Sequence, residues 1–115
     1  MVTVIIGGKM SSKESLKQTS FKCEYSLFLR LEEEAKKANT TKAAIVRKAV
    51  KQLLQHSDDE IRELTRGTPL YSSKRVVSIR LPESLITQLD VIAEKVRTSR
   101  SDLIRTALAA YFRLV

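Results

Sequence analysis

Arg75-Val76-Val77-Ser78-Ile79-Arg80-Leu81-Pro82 is the stretch on which the fold turns. Val77, Ile79 and Leu81 share one parity, and Val76, Ser78 and Arg80 the other, as in a strand with one dry and one wet face. Pro82 stops the run and can open a helix, because its missing N–H falls where no intrahelical partner exists. From Glu83 to Val96, Leu85, Leu89, Ile92, Ala93 and Val96 recur at helical spacing. Ser99-Arg100-Ser101-Asp102 then supplies a cap and a first-turn carboxylate for a second helix reaching Phe112. Its apolar face is Leu103, Ile104, Ala107, Leu108, Tyr111 and Phe112.

The same pattern occurs 58 positions earlier, without a gap. Ser20, Ser26, Leu27, Leu31, Ala35, Lys37, Thr40, Arg47 and Ala49 fall on identical residues at Ser78, Ser84, Leu85, Leu89, Ala93, Lys95, Thr98, Arg105 and Ala107. An internal repeat defines the folding unit before any residue receives a role. In the earlier copy the strand candidate is Thr19 to Cys23, short and polar, which only the repeat register supports. It sends Phe21 and Cys23 one way and Gln18, Ser20 and Lys22 the other. A helix from Ser26 to Ala38 carries Leu27, Leu31, Ala35 and Ala38 on one face. Thr41 caps the next helix, with Ile45, Val46, Ala49, Val50, Leu53 and Leu54. Glu24-Tyr25 stands where the second copy has Pro82-Glu83, which leaves the start of the first helix open.

The expected organisation is a flexible N-terminal arm over 1–17, a first copy over 18–55, a linker over 56–73 and a second copy over 74–115. Within the linker, Ser57-Asp58-Asp59-Glu60 reads as a capping box, followed by Ile61 and Leu64, closed by Gly67 and Pro69, and extended through Tyr71 to Ser73. A unit with one strand cannot close its own core, so the two copies are expected to pair, with each other or with a second chain. Fully extended, the joiner Gln55 to Ser73 spans about 60 Å, which favours pairing within the chain.

The 115 residues carry a formal net charge of +8. Up to Ser57 there are 11 basic and 5 acidic residues, against 10 and 8 beyond, so the excess leans toward the first copy. A small basic domain points to a polyanion, nucleic acid or an acidic membrane surface. Cys23 is the single cysteine and His56 the single histidine, which excludes an intrachain disulfide and any cysteine-based metal site. Cys23 aligns with Leu81 and reads as a small core residue; His56 reads as a surface residue. No catalytic set or glycine-rich phosphate loop stands out, and Glu32 to Glu34 read as a solvated face, so no enzyme and no cofactor is expected. No apolar run approaches the length of a membrane span, and a cytoplasmic, nucleoid-associated location follows by default.

One strand and two helices, twice, with the second strand ending in Arg80-Leu81-Pro82, resembles the ribbon-helix-helix (MetJ/Arc-type) family of transcriptional regulators. The resemblance is strong over Val77 to Phe112 and moderate over Thr19 to Leu54. Two fused copies are similar to tandem members among archaeal virus and conjugation regulators. The resemblance implies a mainly α fold with short β-strands: two strands pair as an antiparallel ribbon over a four-helix core, an intrachain pseudo-dimer here, and the ribbon enters the major groove of double-stranded DNA. Gln18, Ser20, Lys22, Val76, Ser78 and Arg80 would then face the bases. Arg80 suits guanine O6 and N7, Gln18 suits adenine, and Val76 suits a thymine methyl. Phosphates would fall to the N-termini of the second helices, at Thr40, Thr41 and Lys42 and at Thr98, Ser99, Arg100 and Ser101, where free N–H groups favour an anion. The expected role is a sequence-selective regulator, a repressor before an activator, with no small-molecule effector and with further self-association on DNA open. An antitoxin-like module that binds a protein partner and an architectural DNA-coating protein are the competing readings.

Overall fold

The computed structural model describes residues 15–68 and 75–114. These residues are mostly helical, with one two-stranded antiparallel sheet and five helices among them. In chain order these are β1 (Leu16–Cys23), α1 (Tyr25–Lys37), α2 (Lys42–Leu53), α3 (Asp58–Gly67), β2 (Arg75–Pro82), α4 (Glu83–Lys95) and α5 (Arg100–Tyr111). The arm over residues 1–14 and the extended piece Tyr71 to Ser73 lie outside the described residues, as does Pro69.

β1 and β2 pair within the chain, from Leu16 opposite Pro82 to Cys23 opposite Arg75. Inward parity puts Thr19, Phe21 and Cys23 with Val77, Ile79 and Leu81 over the helices, all buried. The strand begins at Leu16, inside the segment read as an arm, because the ladder continues and the Glu83 N–H donates to the Ser15 carbonyl at 2.9 Å. Burial pushes the Cys23 thiol pKa up, with Glu24 adding to the shift. That suits a packing role for the thiol.

The helices follow the apolar periodicity. Leu27, Leu31 and Ala35 of α1, and Ile45, Val46, Ala49, Val50 and Leu53 of α2, join Leu85, Leu89, Ala93, Leu103, Ile104, Ala107 and Leu108 in one core. Ala38 does not belong to it: α1 ends at Lys37 and Ala38 is its exposed C-cap. Ile86, Ala109 and the side chains of Thr106 and Arg105 are buried in addition. α5 is enclosed nearly all round because α2, α3, α4 and β1 all pack on it.

Each helix end has a local cause. Thr41 and Ser99 accept the N–H groups of Ala44 and Asp102 at 3.1 Å. Glu24 and Pro82 both take an extended N-cap conformation without a side-chain cap, so the first helix starts at Tyr25 despite the missing proline. Asn39 (φ 54°) and Arg97 (φ 60°) are left-handed, and the N–H groups of Thr40 and Thr98 reach back to the carbonyls of Ala35 and Ala93 at 2.8 Å. These are Schellman stops. At α3 the capping box is complete, Ser57 Oγ accepting from Glu60 N–H and Glu60 Oε1 from Ser57 N–H. Gly67 does not end that helix by a left-handed turn, since no glycine among the described residues has positive φ. The Thr68 hydroxyl, donating to the Leu64 carbonyl at 2.8 Å, satisfies the last turn instead.

Candidate nucleic-acid interface

Period two leaves Gln18, Ser20, Lys22, Val76, Ser78 and Arg80 on the face of the ribbon away from the helices, and all six are exposed. Gln18 lies opposite Arg80, Ser20 opposite Ser78 and Lys22 opposite Val76. Ser20 Oγ and Ser78 Oγ are 3.0 Å apart, closing a hydrogen bond at the middle of the face. Lys22 and Arg80 therefore lie on opposite sides of that central pair, two residues from it along their own strands. The face holds two cations and no anion, and Val76 is 57% exposed. An aliphatic residue so placed, beside side chains that donate and accept hydrogen bonds, suits a groove of base edges.

The N-termini of α2 and α5 flank the ribbon. A groove of about 560 Å³ is lined by Thr40, Thr41 and Lys42 of the α2 end together with Ser78 and Arg80 of β2, and by Glu32 and Lys36 of α1. The exposed Thr41 caps the helix, and Lys42 Nζ lies 3.7 Å from Glu32 and 5.5 Å above the Phe28 ring. Both members of that ion pair are more than a third exposed, so solvent screens it and a competing phosphate can displace it at low cost.

At the α5 end the cation is held differently. The Arg100 guanidinium donates Nε and Nη2 to the two oxygens of Asp90 at 2.7 and 2.8 Å, and Nη1 to Thr19 Oγ1 at 3.0 Å. The forked pairing with Asp90 raises the Arg100 pKa above its ordinary value. Thr98 Oγ1 donates to Asp102 at 3.1 Å, and Ser101 Oγ accepts the Lys22 N–H at 3.0 Å. Of the four residues read as phosphate ligands here, Ser99 is an exposed cap and the other three carry these internal bonds. Arg105, flagged in the sequence only as the mate of Arg47, has its side chain 8% exposed and spans α5 and β1. Its Nη2 donates to Asp102 Oδ1 at 2.6 Å and its Nη1 to the Lys22 carbonyl at 3.5 Å. Its one sequence signal was the acid three residues before it.

His56 is exposed and lies 3.4 Å from Glu60. Among the described residues no group of three or more His, Cys, Asp and Glu is placed to hold a metal ion, and no helix is long and apolar enough to cross a membrane.

Residues 75–114, which comprise β2, α4 and α5, match the model of the ribbon-helix-helix protein, copG family. The match supports one such motif in this part of the chain, and proteins with this motif are in general DNA-binding regulators rather than enzymes. No curated protein and no solved structure matches the chain.

Proposed function

We propose that the chain is a sequence-selective regulator of transcription, a repressor, that reads the major groove of double-stranded DNA with the β1–β2 ribbon. The observation that carries this reading is the exposed ribbon face itself: Gln18, Ser20, Lys22, Val76, Ser78 and Arg80 stand on one surface about the Ser20–Ser78 pair. We read the chain as two fused ribbon-helix-helix copies forming an intrachain pseudo-dimer. The support is the element register: α1 and α4 are both 13 residues and begin at Tyr25 and Glu83, while α2 and α5 are both 12 and begin at Lys42 and Arg100. Both offsets are 58 positions, and Ser20 lies opposite its own repeat mate.

Arg80 contributes bidentate recognition of guanine, Gln18 recognition of adenine, and Lys22 a less selective contact to acceptor atoms. The phosphate contacts are Thr40, Thr41 and Lys42 on one side and Thr98, Ser99, Arg100 and Ser101 on the other, at the positive ends of α2 and α5. Since the two strands present Gln-x-Ser-x-Lys and Val-x-Ser-x-Arg, the preferred half-sites are unequal. The regulator works in the cytoplasm on the nucleoid and represses by occupying its site.

The test is duplex binding by the wild type and by a folded Lys22→Ala/Arg80→Ala variant, each titrated against selected and random DNA. The variant is expected to lose selectivity while retaining salt-dependent affinity, since each neutralised phosphate contributes a slope of about −0.9 in log K against log salt. Equal losses on selected and random DNA would remove the ribbon as the reading head. Capture of a stoichiometric protein partner with no duplex binding would favour an antitoxin-like module, and equal wild-type affinity for all DNA would favour a coating protein.

A further inference from the structure

Lys22 and Arg80 occupy matching places on the two strands, but their backbones are held unequally. The Lys22 N–H points away from β2, since it donates to Ser101 Oγ of α5 at 3.0 Å. The Lys22 carbonyl accepts from Arg105 Nη1, and three residues earlier Thr19 Oγ1 accepts from Arg100 Nη1 at 3.0 Å. The outer edge of β1 is thus fastened to α5 by three side chains, two of them in turn anchored by carboxylates, Arg100 on Asp90 and Arg105 on Asp102. The partners at the other strand follow from the offset of 58. Arg100, Ser101, Asp102 and Arg105 become Lys42, Ala43, Ala44 and Arg47; Thr19 and Lys22 become Val77 and Arg80.

Among the described residues, none of those replacements rebuilds the fastening. In an antiparallel ladder, pairs alternate between exchanging and not exchanging backbone bonds, so Arg80 opposite Gln18 has the same status as Val76 opposite Lys22. The Arg80 N–H therefore also points outward, toward α2, but Ala43 has no side-chain oxygen to accept it and Val77 none to bind Lys42. Lys42 turns instead to Glu32 and the Phe28 ring. The space between α2 and the β2 edge is the open groove that Ala43, Ile79 and Arg80 help to line.

We propose that Ser101, whose own O–H stays free for the phosphate contact given above, and Arg105 are positioning residues of the reading head: they lock the backbone from which Lys22 projects, whereas Arg80 projects from an edge without these side-chain bonds. The two halves of the ribbon then read DNA with unequal tolerance, the Lys22 half-site in fixed register and the Arg80 half-site adaptable. The inference rests on the DNA-reading function proposed above, but its structural part is testable without DNA.

Amide exchange on the full chain, followed residue by residue by NMR, is the first arm. The Lys22 amide is expected to exchange at least tenfold more slowly than that of Arg80, and Ser101→Ala to remove most of that difference while Ser101→Thr preserves it. The core amides of α4 serve as the control for folding. The second arm is base selection from random duplexes. Ser101→Ala is expected to broaden preference at the Lys22 half-site alone, and Ala43→Ser, which supplies the missing acceptor, to narrow preference at the Arg80 half-site. Equal exchange of the two amides in the wild type would overturn the lock. Equal broadening at both half-sites by Ser101→Ala would overturn its link to reading. If the wild type selects no sequence, the ribbon function and this link fall together, while the exchange arm still decides whether the lock exists.

Discussion

α2 and α5 are the same helix twice in backbone terms and two different helices in chemistry. Each has 12 residues, a hydroxyl N-cap and a left-handed residue three positions before its first. Yet α2 presents Lys42 in an exposed pair and Arg47 half-buried with no hydrogen-bond partner among the described residues, whereas α5 binds Arg100, Ser101 and Arg105 into β1. Shared apolar positions determine the frame, and the polar positions between them are free to diverge. One half thus ties its strand to the helix through side chains while the other keeps an open groove next to Arg80.

The comparison is sharpest in the core, where the halves do not differ. Leu31 and Leu89 occupy matching turns of α1 and α4, and both are 0% exposed within one continuous cluster. Leu31→Ala and Leu89→Ala should each cost about 2–5 kcal/mol, transfer and cavity terms together. Urea unfolding monitored by circular dichroism should give similar losses and a single transition for both. Two separated transitions, or a loss confined to one half, would break the view that the halves share one core.

The next largest effect separates the halves. Arg105→Ala removes a guanidinium from a nearly closed site and leaves Asp102 and the Lys22 carbonyl short of a donor. A loss of about 2 kcal/mol follows, while Arg47→Ala should stay within about 0.5 kcal/mol. Arg105 Nε has no partner, so part of the cost of burying this charge is never recovered. Arg105→Met should accordingly regain much of the stability, as buried ion pairs often yield to apolar residues of similar volume. Equal losses for Arg105→Ala and Arg47→Ala would mean that the difference in burial has no energetic content.

This divide also marks how far the sequence could be read. Strand parity, the helix N-caps and the 58-position offset between like elements were legible because each depends on neighbours within a turn or on a repeated pattern. The burial of Arg105 and Thr106 was not, because it follows from α3 and β1 closing over the polar side of α5. Nor was the engagement of Arg100: its partners lie 10 and 81 positions away, beyond the reach of local spacing. Lys42 with Glu32 and Arg100 with Asp90 keep the offset of 58, which is the one signal that pointed there. Thr19 was read as the strand's first residue, and three further residues before it also pair.

Caps give smaller effects and, at α3, a pH signature. Thr41→Ala and Ser99→Ala should each cost about 1 kcal/mol. At α3 the Glu60 carboxylate accepts the Ser57 N–H, and this bond, helped by His56, holds its pKa below the usual carboxylate value. A depressed pKa contributes stability that is present above the unfolded value of 4.5 and is lost as pH falls through the lower folded value. Glu60→Gln keeps an acceptor but has no proton to gain. Compared with the wild type between pH 6 and pH 3, it should lose less stability on acidification. Identical acid profiles would show that the reciprocal cap is not populated in solution.

The smallest effect concerns the left-handed turns that end α1 and α4. Asn39 and Arg97 stop α1 and α4 with the same geometry, but asparagine adopts this region at lower cost than arginine. Glycine removes the Cβ clash at both positions and adds backbone freedom to the unfolded chain at both. For Arg97 the relief should exceed the entropic loss, so Arg97→Gly is expected to gain about 0.5 kcal/mol. For Asn39 the two nearly cancel, and Asn39→Gly should change stability little. Arg97 is exposed with no ion pair among the described residues, so removal of its charge does not obscure the comparison. Thermal unfolding of both variants beside the wild type tests the difference. A gain at Asn39 equal to that at Arg97 would show that the strain is a property of the turn rather than of the residue placed in it.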